Sequence, residues 1–121
     1  MDILDARILN IELHFSVVAD SLANKHDALR ECVTELQKEF MNHFDVAEPL
    51  YLGRVYAALK RLNSVSDVVD VRVTQKNGGR YSDLRFDLNS HTSPDNRYIS
   101  VPENVIFEIK FPGEDIKGTI K

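Results

Sequence analysis

Residues 9–17, near the start of the chain, alternate strictly between apolar and polar side chains. The apolar members are Leu9, Ile11, Leu13, Phe15 and Val17, and the polar members are Asn10, Glu12, His14 and Ser16. A strand places successive side chains on opposite faces, so this period of two predicts a strand with one buried face and one wet face. Any fold for this chain must therefore supply a cover for the apolar face.

Two amphipathic helices downstream are predicted to supply that cover. The first is expected over about Lys25 to Phe44, with Asn24 as its cap, because apolar residues recur there at steps of three and four. A second, shorter helix is expected over about Gly53 to Leu62. The apolar stripes comprise Leu29, Cys32, Val33, Leu36, Phe40 and Phe44 in the first helix, and Val55, Tyr56, Leu59 and Leu62 in the second.

After the second helix the pattern returns to a period of two. Val69, Val71 and Val73 form one predicted strand face, and Leu84, Phe86 and Leu88 form another. Asn77-Gly78 between these runs predicts a tight hairpin turn, because both residue types accept the positive φ that such a turn demands. A last extended segment, 99–111, contains Pro102, which predicts an edge, a bulge or two short strands.

These elements predict an α+β fold in the order strand, helix, helix, strand, strand, strand. Two helices are expected to pack on one face of a mostly antiparallel sheet of about four strands. The chain has 121 residues, which is the size of one domain. Residues 1–112 are predicted to form that domain, and residues 113–121 a C-terminal tail outside it.

Composition argues against several classes of partner. The net charge is −4 and the basic residues are scattered, so we expect no nucleic-acid partner, which would require a basic face. One Cys excludes an intramolecular disulfide framework. No apolar run approaches the roughly 20 residues of a membrane span, and the N-terminal residues are acidic where a signal peptide is basic. We therefore expect no membrane partner and no secretion by that route.

The residues that could carry chemistry do not form a catalytic pattern. Asp67 and Asp70 lie three apart on a predicted strand, and side chains at that spacing point to opposite faces. Cys32 lies in the apolar helix stripe, where a small buried hydrophobe is expected. The four His residues lack the HxxxH or HxH spacing of metal ligands. We therefore predict no catalytic residue, no cofactor site and no metal site, and a protein that is not an enzyme.

Two segments carry a family resemblance. AEPLYLGRVYAALKRLNSVSDVVDVRV, residues 47–73, resembles a segment near the end of baseplate J-like proteins, where an acidic residue and a short apolar run precede a helix and a V-x-D-V-V-D-V strand. GGRYSDLRFDLNSHTSPDNRYISVPENVIFEIKFPGEDIKG, residues 78–118, resembles the tail of the baseplate wedge protein of contractile-tailed, T-even-like bacteriophages. The resemblance spans about residues 8–118, and it corresponds to the C-terminal domain of longer family members.

The resemblance implies a structural component of the virion. Such a domain would be assembled in the host cytoplasm and would join neighbouring wedges into the ring around the tail tube. Its partners would be a second copy of itself, as a homodimer, and other baseplate wedge proteins. The family brings no cofactor and no reaction.

Five apolar residues in polar surroundings are the predicted contact residues: Val18, Val68, Ile106, Ile116 and Ile120. The first three stand among charged neighbours on the wet sheet face, and such patches often mark contacts. The last two lie in the predicted tail, which we expect to add as a strand to the sheet edge of a second copy.

A different class of function is also compatible with the sequence. The polar loop at residues 89–97 is long enough to close over a pocket, with His91, Asp95 and Arg97 as its polar groups. In that case the chain would be a small ligand-binding or enzymatic α+β domain. A plain surface turn is the competing interpretation of the same loop.

Overall fold

A computed structural model describes residues 7–40 and 44–121 of the chain. Its strands are β1 (Arg7–Ala19), β2 (Leu50–Tyr51), β3 (Val65–Lys76), β4 (Tyr98–Ile99), β5 (Val105–Glu108) and β6 (Ile116–Ile120). Its helices are α1 (Lys25–Glu39), α2 (Leu52–Lys60) and the short α3 (Leu88–His91).

The long strand β1 is the centre of a mixed four-stranded sheet. β3 pairs with one edge of β1 in antiparallel orientation. The other edge is shared by two short strands, β5 beside Arg7 to Asn10 and β6 beside Leu13 to Val17, and both run parallel to β1. The α+β class and a central sheet of four strands are confirmed, whereas the sheet is mixed and the element order differs from the prediction. The difference arises because two strands return to β1 through long connections rather than through hairpins.

The predicted apolar face of β1 is confirmed and forms one core with the helices. The opposite face is not wet as predicted, because Asn10 and Glu12 are also buried. All five apolar residues of the run are buried together with Cys32, Leu36, Val55 and Leu59. Helix α1 contacts β6, and α2 contacts β3. The predicted cap is also confirmed, since Asn24 Oδ1 accepts hydrogen bonds from the backbone N–H groups of His26 (2.8 Å) and Asp27 (3.2 Å). Helix α1 ends at Glu39, and residues 41–43 of the predicted helix lie outside the described residues.

A β-bulge in β3 reverses two of the predicted side-chain directions. Ser16 pairs with Asp70, but the next residue, Val17, pairs with Val68, so Val69 is left between them. Val68 is therefore buried, whereas Val69 is 46% exposed. The period of two predicted the opposite, because one extra residue in a strand exchanges its two faces.

The predicted hairpin and its returning strand at residues 84–88 are wrong. After β3 the chain forms a loop, in which the side-chain amide of Gln75 takes the place of a paired strand. Its Oε1 accepts a hydrogen bond from the Phe86 N–H at 2.8 Å, and its Nε2 donates to the Phe86 carbonyl. Asp87 then caps α3 by accepting a hydrogen bond from the Asn89 N–H at 3.1 Å. One carboxamide thus satisfies the Phe86 peptide groups, and no strand ladder is required there.

The end of the chain belongs to the sheet. The segment around Pro102 forms two short strands, β4 and β5, which is one of the predicted alternatives. The predicted separation of residues 113–121 as a tail is contradicted, because Ile116–Ile120 form β6. Ile116 pairs beside Leu13 and Gly118 beside Phe15, so the apolar positions of this segment complete the core of their own chain.

Candidate interaction surface

The structure does not bring the five predicted contact residues together. Val68 and Ile116 are buried in the core of their own chain, so neither is available to a partner. Ile120 pairs beside Val17 on the helix side of the sheet. Val18 and Ile106 are half-buried near opposite ends of β1. Because Ile106 pairs with Ile8, ten residues from Val18 along the strand, the two lie about 33 Å apart along β1.

The outer face of the sheet holds a buried carboxylate that the sequence pattern assigned to the wet face. Glu12 is 4% exposed. Its Oε2 lies 2.9 Å from Lys76 Nζ, and its Oε1 lies 3.2 Å from Lys117 Nζ and 2.7 Å from His14 Nε2. Burial raises the pKa of Glu12, but hydrogen bonds from Lys76 and then Lys117 outweigh burial, and the net pKa is lowered. This group ties β1 to β3 and β6, and its cations come from distant parts of the chain.

The outer-face polar network continues from Glu12 toward the loop after β3. Asn10 donates a hydrogen bond to Glu108 at 2.7 Å and accepts one from the Ser82 N–H at 2.7 Å. The Tyr81 hydroxyl donates to Asp115 at 2.9 Å. These hydrogen bonds hold the loop after β3 against the sheet, so their visible role is to join elements.

The predicted placement of Asp67 and Asp70 on opposite faces of the sheet is wrong, because the bulge at Val69 leaves them paired with Val18 and Ser16, which lie on one face. The two carboxylates have separate partners. Asp67 accepts a hydrogen bond from the Val68 N–H at 2.9 Å. Asp70 lies 3.2 Å from Arg72 Nε in an exposed ion pair. Cys32 is buried, and burial raises the pKa of its thiol to about 11. Its sulfur is therefore a protonated core atom at neutral pH.

In the loop at residues 89–97, two of the three polar groups predicted to surround a pocket lie together. Asp95 accepts a hydrogen bond from Ser93 Oγ at 2.7 Å, and this bond is the main reason that the pKa of Asp95 is lowered. Arg97 Nε lies 3.7 Å from the Asp95 carboxylate. His91 instead packs on the Phe86 ring, with ring centroids 4.3 Å apart. Asp95 and Arg97 line one groove, whereas His91 does not.

That groove contains an exposed pair of tyrosines that lie far apart in the sequence. β2 pairs with β4 so that Tyr51 lies opposite Tyr98, with ring centroids 5.8 Å apart. The rings remain 50% and 40% exposed, respectively. Tyr56 from α2 also lines the groove, whose volume is about 520 Å³. We call Tyr51, Tyr56 and Tyr98 the tyrosine surface.

The tyrosine surface has the composition of a protein contact site. Tyrosine is enriched at interfaces, where its ring contributes apolar area and its hydroxyl a polar contact. A backbone ladder fixes Tyr51 and Tyr98, so the pair requires little ordering on binding. The sequence shows these tyrosines only as separate residues. Their pairing could not be predicted, because the β2–β4 ladder joins positions that are 47 residues apart.

Within residues 7–40 and 44–121, no group of three or more His, Cys, Asp or Glu side chains is arranged to hold a metal ion. In the same part of the chain, no helix has the length and apolar character needed to cross a membrane. Comparison with known proteins found no matching family model and no matching curated protein.

Proposed function

We propose that this chain is a structural component of a phage tail baseplate wedge, a subunit-contact domain that joins wedges around the tail tube. The proposal rests on the resemblance of residues 47–73 and 78–118 to baseplate J-like and T-even-like wedge proteins. The observation that supports a contact role is the exposed Tyr51–Tyr98 pair, which the β2–β4 ladder holds side by side. Its partners would be a second copy and other wedge proteins, and its location the virion baseplate after assembly in the host cytoplasm.

The contact surface in this proposal differs from the five residues that the sequence suggested. Val68 and Ile116 stabilise the chain's own core, so substituting them would unfold the domain rather than disrupt a contact. Tyr51 and Tyr98 project from the sheet without a core role, and aromatic residues of this kind dominate binding energy at interfaces. The homodimer would therefore form through the tyrosine surface.

The test is the solution mass of the intact chain and two variants, measured by sedimentation at roughly 10–100 µM, the range in which a dimer of moderate affinity is populated. The intact chain is expected to be a dimer, and the double variant Tyr51→Ser/Tyr98→Ser a monomer. Leu22→Ser is the matched control, because Leu22 is 94% exposed and does not line the groove beside the tyrosine surface. It should leave the mass unchanged.

The phage context is tested separately. Tail-tube, sheath or wedge genes beside the coding sequence, and co-purification with those wedge proteins, are the expected findings. A metabolic operon, together with a monomer that binds no wedge protein, would contradict the proposal. The Tyr51→Ser/Tyr98→Ser variant should lose wedge binding if the same surface serves both contacts.

A second candidate function is favoured by one observation. The groove of about 520 Å³ is lined by Asp95 and Arg97 as well as by the tyrosines, which is the mixture of apolar wall and few polar groups typical of small-molecule sites. Under this alternative the chain is a small ligand-binding or enzymatic domain. Small-molecule binding that is lost in Asp95→Asn, by a chain that stays monomeric, would favour it over the assembly role.

A further inference from the structure

Every second residue of β3 directs its peptide N–H and C=O groups toward β1. The hydrogen bonds of β1 identify which residues these are. The Leu13 N–H donates to the Asp115 carbonyl at 2.8 Å, and the Val17 carbonyl accepts from the Lys121 N–H at 2.8 Å. Odd-numbered β1 residues therefore direct their peptide groups toward β6. Even-numbered residues must direct theirs toward β3, so His14 exchanges its bonds with Arg72 in the antiparallel register.

It follows that Val71 and Val73 direct their N–H and C=O groups away from β1. No hydrogen bond to either peptide unit occurs among the described residues. Val71 and Val73, two residues apart, thus present unpaired backbone donors and acceptors at the spacing of a strand ladder. An edge of this kind is a template for another extended chain.

A groove runs along this open edge. Its volume is about 450 Å³, and it is lined on one side by residues 70–74 of β3. Asn89, Thr92 and Asn96 line its other side, and Leu52, Tyr56 and Ile99 add apolar surface. Five strand residues span about 17 Å, so the groove accommodates a segment of about that length beside β3.

We propose that this groove binds an extended segment of a partner protein, which adds to β3 as an antiparallel strand. Val71 and Val73 would exchange backbone hydrogen bonds with it, and its inward side chains would contact Leu52 and Ile99. Residues of the 88–99 segment wall this groove of about 450 Å³, which is small for the whole sheet that the β3 edge of a second copy would bring. The occupant is therefore a peptide-like segment. This inference rests on the backbone edge and holds whichever assembly the chain joins.

The exposed charges on the outer side of β3 specify the segment further. Asp70 and Arg72 point to the outer face of the sheet, on either side of Val71. In an antiparallel partner strand, an acidic residue lies opposite Arg72 and a basic residue opposite Asp70, with an apolar residue between them. The matching order from N- to C-terminus is apolar, acidic, apolar, basic.

The probe is the acetylated and amidated peptide Thr-Val-Glu-Val-Lys-Thr, titrated into the intact protein up to about 2 mM, where weak peptide binding is still measurable. The expected result is saturable chemical-shift change at residues 70–74. The charge-exchanged peptide Thr-Val-Lys-Val-Glu-Thr should bind roughly 3- to 10-fold more weakly, because it places like charges opposite Arg72 and Asp70. Equal binding of the two peptides, or no binding of the first, would overturn the proposal.

The site is tested by Val73→Pro, which removes one outward N–H while leaving the ladder to β1 intact, a position at which an edge strand accepts proline. Binding should be lost in Val73→Pro and kept in Val73→Ala. Amide hydrogen exchange provides a readout that does not depend on the variant folding. In the free protein, Val71 and Val73 should exchange quickly and Arg72 and Thr74 slowly, and the peptide should protect Val71 and Val73. Protection of Val71 and Val73 without peptide, rising with protein concentration, would assign the edge to a second copy and overturn the proposal.

Discussion

Gly118 is constrained by the aromatic ring beside it. It lies in β6 next to Phe15 of β1, and both are on the helix side of the sheet. A Cβ atom at Gly118 would overlap Cζ and Cε2 of the Phe15 ring. Phe15 is buried, so its ring cannot turn into solvent to make room. The requirement for glycine at this position follows from packing.

Gly118→Ala is therefore expected to destabilise the fold by about 1–3 kcal/mol, the range for inserting atoms into a packed core. The measurement is the free energy of unfolding in urea. Gly113→Ala is the matched control, because a Cβ there meets no atom within 4 Å, and it should change stability by less than about 0.5 kcal/mol. Equal effects at both glycines would refute the packing argument.

Cys32 is the second residue whose environment decides its chemistry. Burial raises the pKa of its thiol from 9.0 to about 11, and the Glu31 charge adds to this effect. Since the thiolate is the reactive form, the native thiol should react with a disulfide reagent at pH 8 about 100-fold more slowly than the unfolded thiol, from ionisation alone. The rate of colour release with and without urea measures this ratio. Fast reaction in the native state would mean that Cys32 is accessible.

At the scale of elements, regular local patterns were predictable from sequence and irregular pairings were not. The alternation of β1 and the Asn24 cap depend on neighbouring residues, and both are present. The β3 bulge at Val69 depends on the register with β1, which no local period encodes. The loop after β3 depends on the Gln75 side chain replacing a strand partner. The tyrosine surface likewise arises from pairing between distant segments.

Glu12 shows how a polar residue on a strand's outer face joins three elements. Its carboxylate binds Lys76 of β3 and Lys117 of β6 while lying in β1. The folded-state pKa is lowered from the ordinary value of 4.5, so folding favours the ionised form. The resulting stability is fully present above the unfolded pKa and is lost as pH falls through the folded pKa.

Glu12→Gln is accordingly expected to lower the free energy of unfolding at pH 7 by about 1–3 kcal/mol, as for loss of a buried charged hydrogen-bonding group. The loss should shrink as pH falls below the unfolded value of about 4.5. Glu114→Gln is the control, because Glu114 pairs with Arg80 at an exposed site and such pairs contribute about 0–1 kcal/mol. A pH-independent effect of Glu12→Gln would show that its charge is not what stabilises the sheet.

For the whole molecule, the first and last strands are neighbours in the central sheet. Arg7 pairs with Val105, and Val17 pairs with Ile120, so nearly the full chain separates the paired residues. A fold dominated by such distant pairings forms slowly, because the chain loses the entropy of loop closure before the paired strands stabilise it. It also remains incomplete until its last residues are available. The C-terminal segment is thus a structural requirement of the domain.

Removal of residues 113–121 is therefore predicted to destabilise the whole domain rather than to release an appendage. The cut removes Ile116 from the core and Lys117 from Glu12, and it exposes the edge of β1 at Leu13 to Val17. Loss of the buried isoleucine alone corresponds to about 2–5 kcal/mol, so the urea midpoint should fall steeply. Adding a synthetic peptide of residues 113–121 should raise the midpoint again, by an amount that grows with the logarithm of its concentration above the Kd, because the peptide binds only the folded form. A scrambled peptide of the same composition is the control for non-specific binding. An unchanged midpoint in the shortened chain would mean that β6 contributes nothing to the sheet, and the segment would then be free to pair with another copy.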